Sequence, residues 1–222
     1  MKPWIIWLLA ASFYALEFFQ RVAPSVIAKP LMETFQLSPA TFGLIVSFYF
    51  YAYGIFQIPA GILLDKYGPR LSLAVAALIV SIGTYLFAHT EQLSFLIMAR
   101  ILVGIGSAFA FVGCLKLARV WFSARSFPFV VGLTNTLGII GVLFGQEPLT
   151  IMIKHLGWQT SLIISAYIGV VIAILIVCFV RNKPPQRLRL VKPPAETLSI
   201  LNSLKIIFSS KQAWLISLYA GL

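Results

Sequence analysis

Charge is scarce in this chain. Only 10% of its 222 residues are charged, while 60% are hydrophobic. Soluble domains carry roughly 25% charged residues, so composition alone makes this a membrane protein. Acids are the scarcest group, with 6 Asp and Glu against 17 Lys and Arg, and there are 2 histidines. The apolar runs hold no paired acids, no histidine-rich stretch and no serine–base constellation, so nothing in them supports intramembrane catalysis. An enzyme is not expected. The two cysteines, Cys114 and Cys178, each fall inside a long apolar run. They form neither a disulfide framework nor a metal-ligand spacing, so neither a metal nor a cofactor is expected.

What the chain does have is length of apolar run. A membrane-spanning helix needs roughly 20 such residues. Spans are predicted at about 4–27, 40–63, 71–88, 94–117, 127–149 and 159–180, and a further run starts near Ala213. Helices are the only plausible form, because the runs lack the short-period alternation of a membrane barrel strand. Orientation follows from the bases. With the N-terminus inside, Lys2, Lys66, Arg70, Lys116, Arg119, Arg125 and every base from Arg181 to Lys211 are cytoplasmic. Lys29 and Lys154 are left outside, and Arg21 and Arg100 within spans. Trp4, Trp7, Trp121 and Trp214 then fall at the inner interface and Trp158 at the outer one, the layer tryptophan prefers. The net charge of +11 thus fixes topology and attracts anionic headgroups. The expected partner is the lipid bilayer, and no nucleic acid is called for.

Between the second and third runs lies Gly61-Ile-Leu-Leu-Asp65-Lys66-Tyr-Gly68-Pro69-Arg70. Two glycines permit a tight reversal, and Lys66 and Arg70 hold the turn on the cytoplasmic side. Asp65 is the odd member, because a carboxylate at a helix C-terminus opposes the dipole and needs a partner elsewhere. The spacing G-x-L-x-D-K-x-G-x-R resembles the signature loop between the second and third helices of the major facilitator superfamily. The resemblance implies an all-α membrane fold of twelve helices, with the acid docking on a helix of the second half to hold one state of an alternating-access cycle. On that footing residues 1–180 form the N-terminal six-helix transmembrane bundle. Residues 181–212 form a basic cytoplasmic linker, with Pro184, Pro185, Pro193 and Pro194 in its first part and a short amphipathic helix after Glu196. Residues 213–222 start helix seven, and a C-terminal six-helix half is the missing partner. A half-transporter that works as a homodimer is the alternative.

Ionisable residues inside a span are costly and mark function. Glu17 and Arg21 lie four positions apart, so they share a helix face and can pair. Either they neutralise each other to hold the first helix in register, or Arg21 faces the cavity and grips a substrate carboxylate with its planar fork. The run Gln20-Arg21-Val22-Ala23-Pro24-Ser25 resembles the first-helix arginine of organic-anion and amino-acid transporters in the superfamily. Two positions that are acidic in the organic-anion branch are Gln20 and Ser107 here, so coupling would fall to Glu17 or Glu147. Arg100 opens a stretch with Gly104 and Gly106 that resembles the superfamily's fourth-helix arginine–glycine motif. It serves coupling or a polar tie, or else snorkels to the outer interface. Glu147 is a second coupling candidate or a solvated rim charge. Tyr53, Gln57 and Gly61 recur at i, i+4 and i+8 on the second helix, on a face expected to look toward the missing half. With Asn135 of the fifth helix, Tyr53 and Gln57 are candidate substrate contacts. Small residues at Gly104 and Ala108, Gly106 and Ala110, and Gly141 and Gly145 mark packing seams. Together these imply a multi-pass permease of a bacterial inner membrane that moves a small organic anion or amino acid, with proton coupling left open. A solute sensor of the same fold is the alternative.

Overall fold

A computed structural model describes residues 3–183 and Ser209. The chain divides into two units, Met1–Val191 and Lys192–Leu222, and the fold described below is that of the first. Apart from residues 181–183 and Ser209, the expected linker at 181–212 and the start of helix seven at 213–222 lie outside the described residues.

Eight helices follow one another among the described residues: α1 Pro3–Val26, α2 Ala28–Phe35, α3 Pro39–Tyr67, α4 Pro69–His89, α5 Leu93–Trp121, α6 Phe127–Phe144, α7 Glu147–Leu156 and α8 Trp158–Phe179. Among the described residues six segments are long and apolar enough to cross a membrane, α6 and α7 counting together as one. Local chemistry sets several ends. Ser38 caps α3 by accepting from the Thr41 N–H at 3.1 Å, with Pro39 in the first turn. Gly68 ends α3 at a φ of 82°, which a residue with a β-carbon resists, and Pro69 opens α4 at once.

Three features differ from the sequence expectation. The second span runs on to Tyr67, past its expected end at 63, so Asp65 and Lys66 stand in the last helical turn. The fifth span is broken at Gly145 and Gln146, and Glu147 opens the short α7. Pro148 has no N–H to return to the Phe144 carbonyl, so the hydrogen-bond ladder cannot pass straight through. The third is α2, which occupies part of what reads as an outer loop. It is only eight residues long, with Leu31 buried.

α5 is the central post. It packs on α3, α4 and α1, while α4 also packs on α8 and α1 on α6. The buried side chains form two clusters. One, toward the α3–α4 turn, includes Trp7, Leu64, Leu73, Leu117, Trp121 and Ile176. The other, toward α2 and α7, includes Ile27, Leu31, Ile45, Leu96, Leu149 and Leu162. α3 and α6 are the least covered of the long helices, with much of their length facing away from the bundle.

Glycine decides the α3–α5 distance. A β-carbon on Gly104 would stand 2.4 Å from the Tyr49 carbonyl oxygen and 3.0 Å from the Ala52 β-carbon, so the two backbones touch there. Gly104→Ala is therefore expected to push α3 from α5 and to cost about 1–3 kcal/mol, the range for overpacking. A lowered thermal midpoint of the purified protein in detergent checks this, and an unchanged midpoint would refute it.

Candidate functional site

The polar site lies at the waist of the bundle, where the two apolar clusters meet. On α1 it falls between Leu16 and Ala23, on α3 at Tyr49 just past Ile45, and on α5 between Ala99 and Val103. Helical spacing brings the groups together. Arg21 follows Glu17 by one turn on α1, Tyr53 follows Tyr49 by one turn on α3, and Arg100 precedes Gly104 by one turn on α5. The close approach at Gly104 thus sets Tyr49 beside Arg100.

Glu17 is 0% exposed. Its Oε1 accepts from Arg21 Nη2 at 2.7 Å, from Arg21 Nε at 3.1 Å, and from the Tyr49 hydroxyl. The Tyr49 hydroxyl accepts in turn from Arg21 Nε at 3.1 Å. The Arg21 guanidinium lies 4.4 Å from the Phe18 ring centroid and 5.0 Å from that of Tyr53, within cation–π range. Tyr53 stacks on Tyr49 with 5.8 Å between centroids. On the Tyr49 ring lies the second guanidinium, that of Arg100, at 4.7 Å. Arg100 is buried, and Nη1 donates to the Gln20 carbonyl at 3.3 Å. Gln20 Nε2 donates to Ser165 Oγ at 3.0 Å, fixing α1 to α8.

The site therefore holds two guanidiniums and one carboxylate, of which only Arg21 pairs with Glu17, and its formal charge is net positive inside a low-dielectric core. Several polar atoms are still buried there without a partner among the described residues: Glu17 Oε2 and Arg100 Nε and Nη2. Arg21 keeps its side chain 25% exposed. Its Nε and Nη2 donate to Glu17, Nε also to Tyr49, and the Tyr53 hydroxyl is a further polar neighbour of the guanidinium. The Glu17 and Tyr49 bonds leave out the Nη1/Nη2 edge, a pair of parallel donors whose spacing suits a carboxylate.

A helical bundle with arginines at its waist is compatible with several membrane families. The family model for the Major Facilitator Superfamily matches residues 6–222. The chain belongs to that superfamily. Its relatives include the hexuronate transporter of Bacillus subtilis (strain 168), 28% identical over 84% of this chain and 44% of that protein. A second, from Escherichia coli (strain K12), is described as "Probable L-galactonate transporter" and is 29% identical over 76% of this chain and 37% of that protein. The chain thus spans less than half the length of the curated relatives it matches. Among solved structures, a bacterial homologue of the human lysosomal transporter Spinster, inward-facing and unoccupied, overlays with a TM-score of 0.76 at 18% identity. The overlay covers 97% of this chain and 51% of that one, and it speaks for the fold alone.

Other residues singled out from the sequence of this superfamily member fall into three places. Tyr53 and Gln57 are half-buried on the face of α3 that also carries Gly61, where an added β-carbon would meet nothing within 4 Å. Asn135 is exposed on α6, with its Oδ1 at 3.5 Å from the Tyr14 hydroxyl. Glu147 is exposed in the first turn of α7, where a negative charge suits the helix dipole. It stands outside the Glu17–Arg21 cluster.

The turn after α3 forms a separate site. Lys116 of α5 pairs with Asp65, Nζ to Oδ1 at 2.6 Å, and also donates to the Leu64 carbonyl. Arg70 Nε donates to the Val177 carbonyl near the end of α8 at 2.9 Å, and the Arg70 N–H donates to Asn182 Oδ1 at 2.8 Å. Gly68 leaves room for the Asn182 side chain, whose Nδ2 would lie 2.5 Å from a β-carbon there.

Sequence reasoning missed Tyr49 and Lys116. Tyr49 had a signal: it extends the Tyr53, Gln57, Gly61 stripe back by one turn. Lys116 had none beyond its charge, since its partner lies 51 positions away.

Proposed function

We propose that this bundle is the N-terminal half of a permease in a bacterial inner membrane that moves a small organic anion by alternating access. The observation that carries the reading is the excess of guanidinium over carboxylate at the waist, with the Nη1/Nη2 edge of Arg21 left out of its bonds to Glu17 and Tyr49. A cation held in a low-dielectric wall attracts anions strongly, and a planar fork selects a carboxylate over a point anion. The relatives support this, since hexuronate and L-galactonate are both sugar acids that carry a single carboxylate. Tyr53, Gln57 and Asn135 are then the contacts for the hydroxyl-bearing remainder of the solute. Six acids occur in the whole sequence, and Glu17 is the one that is buried among the described residues. It is accordingly the group proposed to exchange a proton during the cycle, with Arg100 completing the polar tie. The excess of Lys and Arg on one side supports a cytoplasmic N-terminus.

Proteoliposomes containing the full-length protein test the reading. Labelled galactonate is expected to accumulate, faster under an imposed inward proton gradient, while uncharged galactitol is left outside. Galactonate binding without flux would instead identify a solute sensor of the same fold. Equal uptake of both solutes would remove Arg21 from substrate recognition.

A further inference from the structure

We propose that Tyr49 is a positioning residue, whose hydroxyl holds the Arg21 guanidinium side-on against Glu17 and so turns the remaining donor edge to the solute. The inference rests on the organic-anion reading and deepens it. A guanidinium on a flexible stem has many ways to meet a carboxylate four residues before it on the same helix. Glu17 alone sets a distance without setting a plane. The Tyr49 hydroxyl supplies the third point. It donates to Glu17 Oε1 and accepts from Arg21 Nε at 3.1 Å, so that the Nε/Nη2 edge is closed and the Nη1/Nη2 edge is the one these bonds leave out. Tyr49 can do this because it is packed on every side. It is 0% exposed, its backbone oxygen abuts Gly104, one ring contact is the Tyr53 stack, and another is the Arg100 guanidinium at 4.7 Å. Arg100, itself tied to the Gln20 carbonyl, acts through the Tyr49 ring as a buttress for a hydroxyl that faces the other arginine. A tyrosine packed only for bulk would do equally well as phenylalanine; the paired hydrogen bonds make the hydroxyl the operative atom.

Tyr49→Phe separates the two roles, because it keeps the ring, the Tyr53 stack and the Arg100 contact while deleting the oxygen. In full-length protein in nanodiscs, the dissociation constant for galactonate is expected to rise roughly tenfold, because the guanidinium that meets the solute loses its own charge-assisted hydrogen bond to the hydroxyl. The thermal midpoint without solute should stay within a few degrees of wild type. Tyr49→Leu, which removes the ring as well, should lower both affinity and midpoint. A Phe variant that binds galactonate like wild type, or that loses thermal stability with unchanged affinity, would overturn the proposal. Should the wild-type protein bind no sugar acid, the substrate reading fails on its own, and the clamp is read without solute. Hydrogen exchange at Arg21 Nε–H, followed by nitrogen-15 NMR, should speed up in Tyr49→Phe. An unchanged exchange rate would refute the clamp.

Discussion

Arg21→Ala is expected to abolish carboxylate binding and to cost about 3–5 kcal/mol of stability, the range for removing one partner of a buried ion pair. The reason is the state in which Glu17 would be left. Its Oε2 already has no partner, and Oε1 would keep only the Tyr49 hydroxyl. A carboxylate with no cation in an apolar core is among the costliest groups a fold can hold. The double variant Glu17→Gln with Arg21→Ala removes the stranded charge, so most of the stability should return while binding stays lost. Arg21→Lys keeps the charge and loses the fork, and affinity should fall by about 1–3 kcal/mol. Thermal unfolding and galactonate titration on the same preparations decide the matter. If both Arg21 variants bind like wild type and lose only stability, the pair is structural and the solute is held elsewhere, at Tyr53, Gln57 and Asn135.

The pairing behind that prediction was legible in the sequence because a four-residue separation on a helix is a statement about space. The spans were legible for a similar reason: a predominantly apolar run of that length matches the thickness of a bilayer. What stayed hidden depends on contacts across the chain or on small interruptions. The break at Gly145 and Gln146 is followed by Glu147 and Pro148, a short polar step that hydropathy averaged over a span passes over because Leu149, Ile151 and Ile153 follow. α2 is too short to show a period against its surroundings. Arg100 reads equally well as a snorkelling rim charge and as a buried tie until α1 and α3 are folded against it; the structure buries it on the Tyr49 ring. Lys116 reads as a topology charge, and only the α3–α5 contact reveals that it answers Asp65.

That contact carries the second large effect. Asp65→Asn is expected to remove most transport by the full-length protein while leaving its abundance and thermal midpoint nearly unchanged. The asymmetry follows from exposure. The Asp65 side chain is 75% exposed, and ion pairs at such positions contribute only about 0–1 kcal/mol, so the bundle should survive their loss. Transport is another matter. Lys116 Nζ satisfies both Asp65 Oδ1 and the Leu64 carbonyl at the C-terminal end of α3, where an acid alone would oppose the dipole. The lysine therefore holds the acid in place. With Lys116 bound at Oδ1, the exposed remainder of the carboxylate is proposed to meet the second six-helix half in one state of the cycle. Lys116→Ala should accordingly impair transport less than Asp65→Asn, because it loosens the acid without removing it. The charge swap Asp65→Lys with Lys116→Asp separates an internal brace from a docking point. The swap rebuilds the ion pair and puts a favourable cation at the helix end, yet presents the wrong sign outward. Transport should stay low in the swap, measured as galactonate uptake at matched protein density. Full recovery would mean that the Asp65–Lys116 pair is the whole of the function and that no contact across the two halves depends on Asp65.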